Sequence, residues 1–175
     1  LGETVGPLRR LDLLAPRRPD LGPQHLPVNR TAAEAGVTAA ATAQSYRLTV
    51  EGAASGTMQL SVDQLRAIGL HDAVLPIACV DGWSAQATWR GVRLRDLLAA
   101  AGRPSAEVSV ASLETNGIYT GSFLDRAQAQ DPDTLLALEL NGQPLSIDHG
   151  YPVRLIGPNR PGVQQTKWVG RLVLS

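Results

Sequence analysis

Three short segments gather the side chains able to do chemistry. Cys79-Val80-Asp81-Gly82-Trp83 carries the only cysteine, His149-Gly150-Tyr151-Pro152-Val153-Arg154 pairs an imidazole with a guanidinium, and Gln165-Thr166-Lys167-Trp168 sets an ammonium among polar and aromatic neighbours. A lone thiol flanked by Ile77, Ala78 and Val80 is by default a small buried hydrophobe. As a thiolate it is instead a soft, strongly donating metal ligand, and a single cysteine excludes an internal disulfide. A closed zinc site wants about four Cys or His ligands, a poor match to one Cys and three His.

Arg154 and Lys167 are residue types that hold a buried anion through charge-assisted hydrogen bonds. On a strand, Arg154 between Val153 and Leu155 could equally face solvent. His149 suits a ligand contact or a turn cap, while His71 in a loop and His25 in the N-terminal arm have less claim. Trp83, Trp89 and Trp168 read first as packing. Asp131 and Asp133 precede a strand and read as turn caps. Asn29-Arg30-Thr31 also spells a glycosylation sequon, a pattern too common to carry weight.

The elements that must position these groups follow from apolar periodicity. Tyr46–Val50 alternates like a half-buried strand that Glu51-Gly52 would turn, and Ser61 with Gln64 forms a capping box ahead of a short helix bearing Leu65 and Ile68 and stopped by Gly69. Ala73–Val80 suits a buried strand delivering Cys79 to its end, with Asp81-Gly82 turning the chain. Val92, Leu94, Leu97 and Leu98 give one face of a second helix that ends at Gly102. Val108–Leu113, Leu135–Leu140, Pro152–Ile156 and Lys167–Leu174 are further strands, Asn141-Gly142 being a tight-turn signal. The expected fold is α+β, mixed β-sheets with short helices. Prolines 7, 16, 19 and 23 without sustained period mark residues 1–24 as an extended arm or linker, leaving 25–175 as one domain.

Composition narrows the function. The chain has 175 residues, 43% of them hydrophobic, and equal counts of 16 acidic and 16 basic residues, enough for one core and without the basic excess that nucleic acid demands. No apolar run approaches the roughly 20 residues of a membrane span. Leu1 in place of an initiating Met leaves room for an upstream signal or anchor.

The motifs together resemble the sulfite oxidase family of molybdenum enzymes. Cys79–Leu98, with Trp89-Arg90-Gly91-Val92, is similar to its cysteine segment; Leu136–Leu145, His149–Arg154 and Lys167-Trp168 are similar to its C-terminal part, in the same order and spacing. The resemblance spans roughly Tyr46 to Ser175. It implies a sulfite oxidase-type molybdopterin-binding fold, a molybdopterin cofactor with molybdenum, and Cys79 as the metal ligand. It also implies that Asn29, Thr115, His149, Arg154, Gln165, Thr166 and Lys167 contact the cofactor, whose phosphate needs cations when buried. Asp81, as an orienting group or proton donor, and Tyr119, as a pocket hydroxyl, complete the catalytic candidates; Asp81 as a plain turn residue is the alternative.

The chain departs from the sulfite-oxidising members, which carry arginines just after the cysteine and one in the N-terminal segment. Here those places hold Val80-Asp81-Gly82-Trp83 and Pro23-Gln24-His25, an unfavourable setting for an anion. The Cys-Val-acid-x-Trp pattern resembles more the bacterial periplasmic reductases of sulfoxides, although those have Glu where Asp81 stands. The expectation is oxygen-atom transfer on a small oxo-substrate such as a sulfoxide. The family's dimerisation domain and haem motif are not seen, so a monomer exchanging electrons with a separate membrane haem protein, outside the cytoplasm, is expected. A cofactor-free binding or interaction module is the competing class.

Overall fold

The alternation at Tyr46–Val50 becomes strand β1 (Leu48–Ala53), with Leu48 and Val50 buried. The computed structural model describes residues 22–78, 84–117 and 120–175. The first sheet has the order β2 (Gly56–Leu60), β1, β10 (Val169–Leu174), β5 (Val108–Ser112), β6 (Gly121–Leu124). The second runs β3 (His71–Ala78), β4 (Ser84–Arg93), β7 (Leu135–Leu140), β8 (Gln143–Pro144), with β9 (Arg154–Ile156) also paired to β7. β1 lies parallel to β10, so the first and last strands close the first sheet side by side. The other pairings are antiparallel.

Among the described residues, five short α-helices accompany them: α1 (Ala32–Ala35), α2 (Thr38–Thr42), α3 (Val62–Ile68), α4 (Leu94–Ala100) and α5 (Arg126–Gln130). The predicted capping box of α3 forms, with Ser61 accepting from the Gln64 amide and the Gln64 side chain accepting from the Ser61 amide. Boxes of the same kind, Thr31 with Glu34 and Asp125 with Gln128, start α1 and α5. The mixed α+β architecture expected from the sequence is therefore present.

Several local expectations change. Glu51-Gly52 does not turn the chain: β1 continues through Ala53 with a register irregularity, and Gly52 at φ +82° lies where a Cβ would sit 2.4 Å from the Leu174 carbonyl oxygen. Val92 belongs to β4 rather than to the helix that follows it. β4 was hidden because its second face, exposed at Thr88 and Arg90, becomes covered at Val92, so strict alternation of buried and exposed residues ends at Gly91. Ala87 and Trp89 face one core and Val92 another. β3 is one-faced, with Ala73, Leu75 and Ile77 buried and Val74 63% exposed, as befits an edge strand.

Two apolar layers flank the second sheet. Leu136, Leu138, Val153 and Leu155 join the main core shared with the first sheet, whereas Trp89, Leu135, Ala137 and Ile156 face a smaller core that includes Leu26. The N-terminal segment is thus a roof. Gln24, assigned above to the arm, is bolted down: its amide donates to the carbonyls of Leu140 and Pro144 and accepts from the Ser146 amide. Residues 1–21 lie outside the described part of the chain.

Candidate functional site

Strand alternation places Arg154 on the face of β9 opposite Val153 and Leu155. That face is roofed, so the guanidinium is buried at 7% exposure instead of meeting solvent. Its Nη1 donates to the His149 carbonyl at 3.1 Å, its Nε finds no partner among the described residues, and its Cζ lies 5.4 Å from the Trp89 ring centroid. Burial lowers its pKa to about 10, which still leaves it cationic at neutral pH.

Lys167, just ahead of β10, converges on the same space. Its Nζ donates to the backbone carbonyls of Arg30 at 2.5 Å and Asp148 at 3.0 Å and sits 4.6 Å from the Trp168 ring centroid. Burial first, then the neighbouring Arg154 charge, brings its pKa down to about 7. Gly150 permits the approach: at φ +113°, a Cβ there would lie 3.1 Å from the Arg154 Cβ and 3.2 Å from the Lys167 Cβ and Cγ.

His149 closes a short 3-10 turn, Ile147–His149, and is buried. Its Nε2 is 2.7 Å from the Pro23 carbonyl, which can only accept, so Nε2 carries the proton. Burial lowers the pKa to about 4, leaving the ring neutral with Nδ1 unprotonated. Gln165 donates from Nε2 to the Arg160 carbonyl while its Oε1 has no partner among the described residues. Ser122 Oγ donates to the Gln164 carbonyl and lies 2.6 Å from Thr166 Oγ1, making Thr166 the donor of that pair.

Two adjoining cavities of about 340 and 470 Å³ share Asn29, Arg154, Gly162 and Lys167 in their walls. His149, Leu26 and Ile77 complete the first; Arg30, Glu114, Gln165 and Thr166 contribute to the second. Six predicted contacts, Asn29, His149, Arg154, Gln165, Thr166 and Lys167, are therefore brought together. Thr115 is not: it is exposed and lines neither cavity, the chain turning so that its neighbour Glu114 points inward instead. Cys79, Asp81 and Tyr119 lie outside the described residues, although β3 carries the cavity-wall residue Ile77 to within two positions of Cys79.

Arg30 and Glu114 were not foreseen. Arg30 Nη2 stands 2.5 Å from Glu114 Oε1, an ion pair without the alignment of a hydrogen bond. Arg30 adjoins Asn29, an implied cofactor contact, but nothing local marks either Arg30 or Glu114. Arg160, also buried, donates from Nε to the Gln164 carbonyl and from Nη2 to that of Phe123, organising the loop that borders the cavities.

Among the described residues, no carboxylate forms a salt bridge with Arg154 or Lys167. A buried guanidinium and a half-buried ammonium facing one cavity, with an unused guanidinium donor and an unused acceptor, Gln165 Oε1, among the described residues, suit a ligand that carries both a phosphate and ring N–H groups. A molybdopterin is such a ligand, and the residues present fit it. The described residues contain no group of three or more His, Cys, Asp or Glu able to hold a bare metal ion.

A family model described as oxidoreductase molybdopterin binding domain matches residues 35–175. Mitochondrial sulfite oxidase of Rattus norvegicus is 35% identical over 156 residues, covering 73% of this chain and 29% of the relative. A protein described as a protein-methionine-sulfoxide reductase subunit in Azospira oryzae is 32% identical over 133 residues, covering 76% of this chain and 50% of the relative. Among solved structures, the sulfane dehydrogenase SoxCD of Paracoccus pantotrophus superposes with a TM-score of 0.65 at 26% identity, over 75% of this chain and 38% of that one. The chain spans less than a third of the length of rat sulfite oxidase. Sulfite-oxidising and sulfoxide-reducing relatives stand at similar identity.

Proposed function

The chain belongs to the oxidoreductase molybdopterin binding domain family, and from that premise we propose that it is the cofactor-holding part of a molybdenum oxidoreductase acting by oxygen-atom transfer on a small oxo-substrate, a sulfoxide first. The carrying observation is that buried Arg154 and half-buried Lys167 stand in one cavity wall with no salt bridge to either among the described residues. They would hold the cofactor's phosphate, and Gln165 would accept from its pterin N–H groups. His149, neutral and tied to Pro23, would shape the adjoining wall without adding a charge that titrates near pH 7. Cys79 would supply the thiolate ligand, Asp81 a proton donor or orienting group, and Tyr119 a pocket hydroxyl. When bound, the cofactor supplies two-electron exchange of oxygen with the substrate; the protein supplies binding, orientation and electrostatics.

A sulfoxide is favoured over sulfite by charge. A neutral oxo-substrate is not repelled by Asp81, whereas sulfite lacks the arginines expected after Cys79 and at Pro23-Gln24-His25. Gln24 is moreover committed to the β7–β8 hairpin by its own hydrogen bonds. A membrane haem protein as electron partner and an extracytoplasmic location accompany this proposal.

The test is metal and pterin analysis of protein made in a host that synthesises molybdopterin, alongside Cys79→Ala and Arg154→Met. Near-stoichiometric molybdenum is expected in the parent, with metal lost from Cys79→Ala and pterin held less tightly, at reduced content, in Arg154→Met. Molybdenum absent from the parent would sink the proposal. Sulfite oxidation outpacing sulfoxide reduction with artificial electron carriers would overturn the substrate assignment alone.

A further inference from the structure

We propose that Trp89 is a positioning residue for the cofactor phosphate: its indole face holds Arg154 in the cavity wall as a cation that no carboxylate among the described residues pairs. The inference rests on the anion-holding role of Arg154 given above.

A guanidinium this buried ordinarily needs a carboxylate, and among the described residues it has none. Its one protein acceptor is the His149 carbonyl. What remains on the protein side is the π-face of Trp89, 5.4 Å from ring centroid to Cζ. Such a contact stabilises the cation while leaving its donors and net charge to an incoming anion. A carboxylate in that place would compete with the phosphate directly.

The choice of indole is informative in itself. Trp89 is fully buried, and its Nε1 has no acceptor among the described residues. Burying an unpartnered N–H costs on the order of 1–3 kcal/mol, a cost phenylalanine would avoid if the position needed only apolar bulk. Indole does have the strongest cation-binding face of the aromatic side chains. The fold also fixes the geometry: β4 and β9 flank β7, with Trp89 opposite Leu140 and Arg154 opposite Ala137. Ala137 and Leu140 are three residues apart on β7, but the extra residue Leu138 in the irregular pairing returns both to one face, so the ring and the guanidinium are presented from two strands to the same side of one sheet.

The experiment measures loss of pterin from the protein isolated from a molybdopterin-synthesising host, by fluorescence after oxidation, for the parent, Trp89→Phe, Trp89→Leu, Arg154→Met and the Trp89→Leu/Arg154→Met double variant. Pterin loss about tenfold faster is expected for Trp89→Leu and within about threefold of the parent for Trp89→Phe, following the cation–π scale. The double variant should lose pterin no faster than Arg154→Met. Equal acceleration by Trp89→Leu in both backgrounds would show a packing role and overturn the proposal, as would retention equal to the parent. If Trp89→Leu does not fold, 5-fluorotryptophan incorporation replaces it. Fluorine weakens the face at nearly constant volume, so it must accelerate loss more in the parent than in Trp89→Phe, and equal effects overturn the proposal. Unchanged retention in Arg154→Met would instead refute the anion-site reading on which the inference rests.

Discussion

Lys167 donates from Nζ to the backbone carbonyl of Arg30 across 2.5 Å, joining the segment ahead of the last strand to the segment that roofs the cavity. A carbonyl compensates an ammonium only partly, and burial lowers the Lys167 pKa from 10.5 to about 7. The unfolded chain therefore holds a proton that the folded chain gives up between those values. Stability from this group is complete above pH 10.5 and is lost as pH falls toward 7.

The first prediction follows. Unfolding free energy should decline from pH 9.5 to pH 7 in the parent, by up to a few kcal/mol, and this slope should vanish in Lys167→Met. Arg154, Asp148, Glu114 and Arg30 all act on this group. Urea denaturation at closely spaced pH values reads the slope directly; a parent curve flat over that range contradicts the prediction.

Gly150 supports a second prediction. Alanine there must adopt φ +113° and place its Cβ 3.1–3.2 Å from the side chains of Arg154 and Lys167. Strain and crowding together should cost about 1–3 kcal/mol. Because the crowded neighbours are the cavity's two cations, Gly150→Ala should also lose cofactor. Alanine at Gly142, a positive-φ glycine with open space around it, is the control: it should destabilise through backbone strain alone and keep its cofactor.

How far these residues were legible in the sequence differs case by case. Arg154 was visible as a candidate because its strand neighbours are apolar, but alternation gives only the face, and whether that face meets water depends on the Leu26 roof supplied by a segment far away in the chain. β4 escaped detection because it is covered on one face at Ala87 and Trp89 and also on the other at Val92, each by a different core, which breaks the simple alternation of a half-buried strand. Thr115 was chosen over Glu114 because a one-residue difference in which side chain points inward cannot be read from a loop. The Arg30–Glu114 pair bridges distant segments, and no periodicity links them. Local signals did better where physics is local: the Ser61 box formed as expected, and Asp131 caps its turn by accepting from the Asp133 amide.

The Arg30–Glu114 pair gives a third prediction. Glu114 is 6% exposed and Arg30 43%, so removing the arginine strands a buried carboxylate while the reverse change leaves a cation near water. Arg30→Ala should destabilise by about 1–3 kcal/mol, and adding Glu114→Gln should recover most of that loss. A double-mutant cycle by chemical denaturation measures the coupling; additive effects would mean that the pair contributes nothing as a pair.

His149 sets the acid side. Its pKa falls from 6.5 to about 4, chiefly through burial, with the charges of Arg154 and Lys167 adding to the effect and the Pro23 hydrogen bond and Asp148 opposing it. Because the folded pKa is depressed, this group's stability contribution is complete above pH 6.5 and drains away as pH drops toward 4, the unfolded chain taking up the proton first. The full effect is on the order of 3 kcal/mol. Replacement by Gln, whose amide can still donate to the Pro23 carbonyl and cannot titrate, should flatten the stability profile between pH 6.5 and 4. Carboxylates add their own acid dependence below about pH 4.5, so the comparison belongs at pH 5 to 6.5. There the parent should lose stability steadily and His149→Gln should not, and two superimposable profiles would show that the imidazole is not the group being protonated.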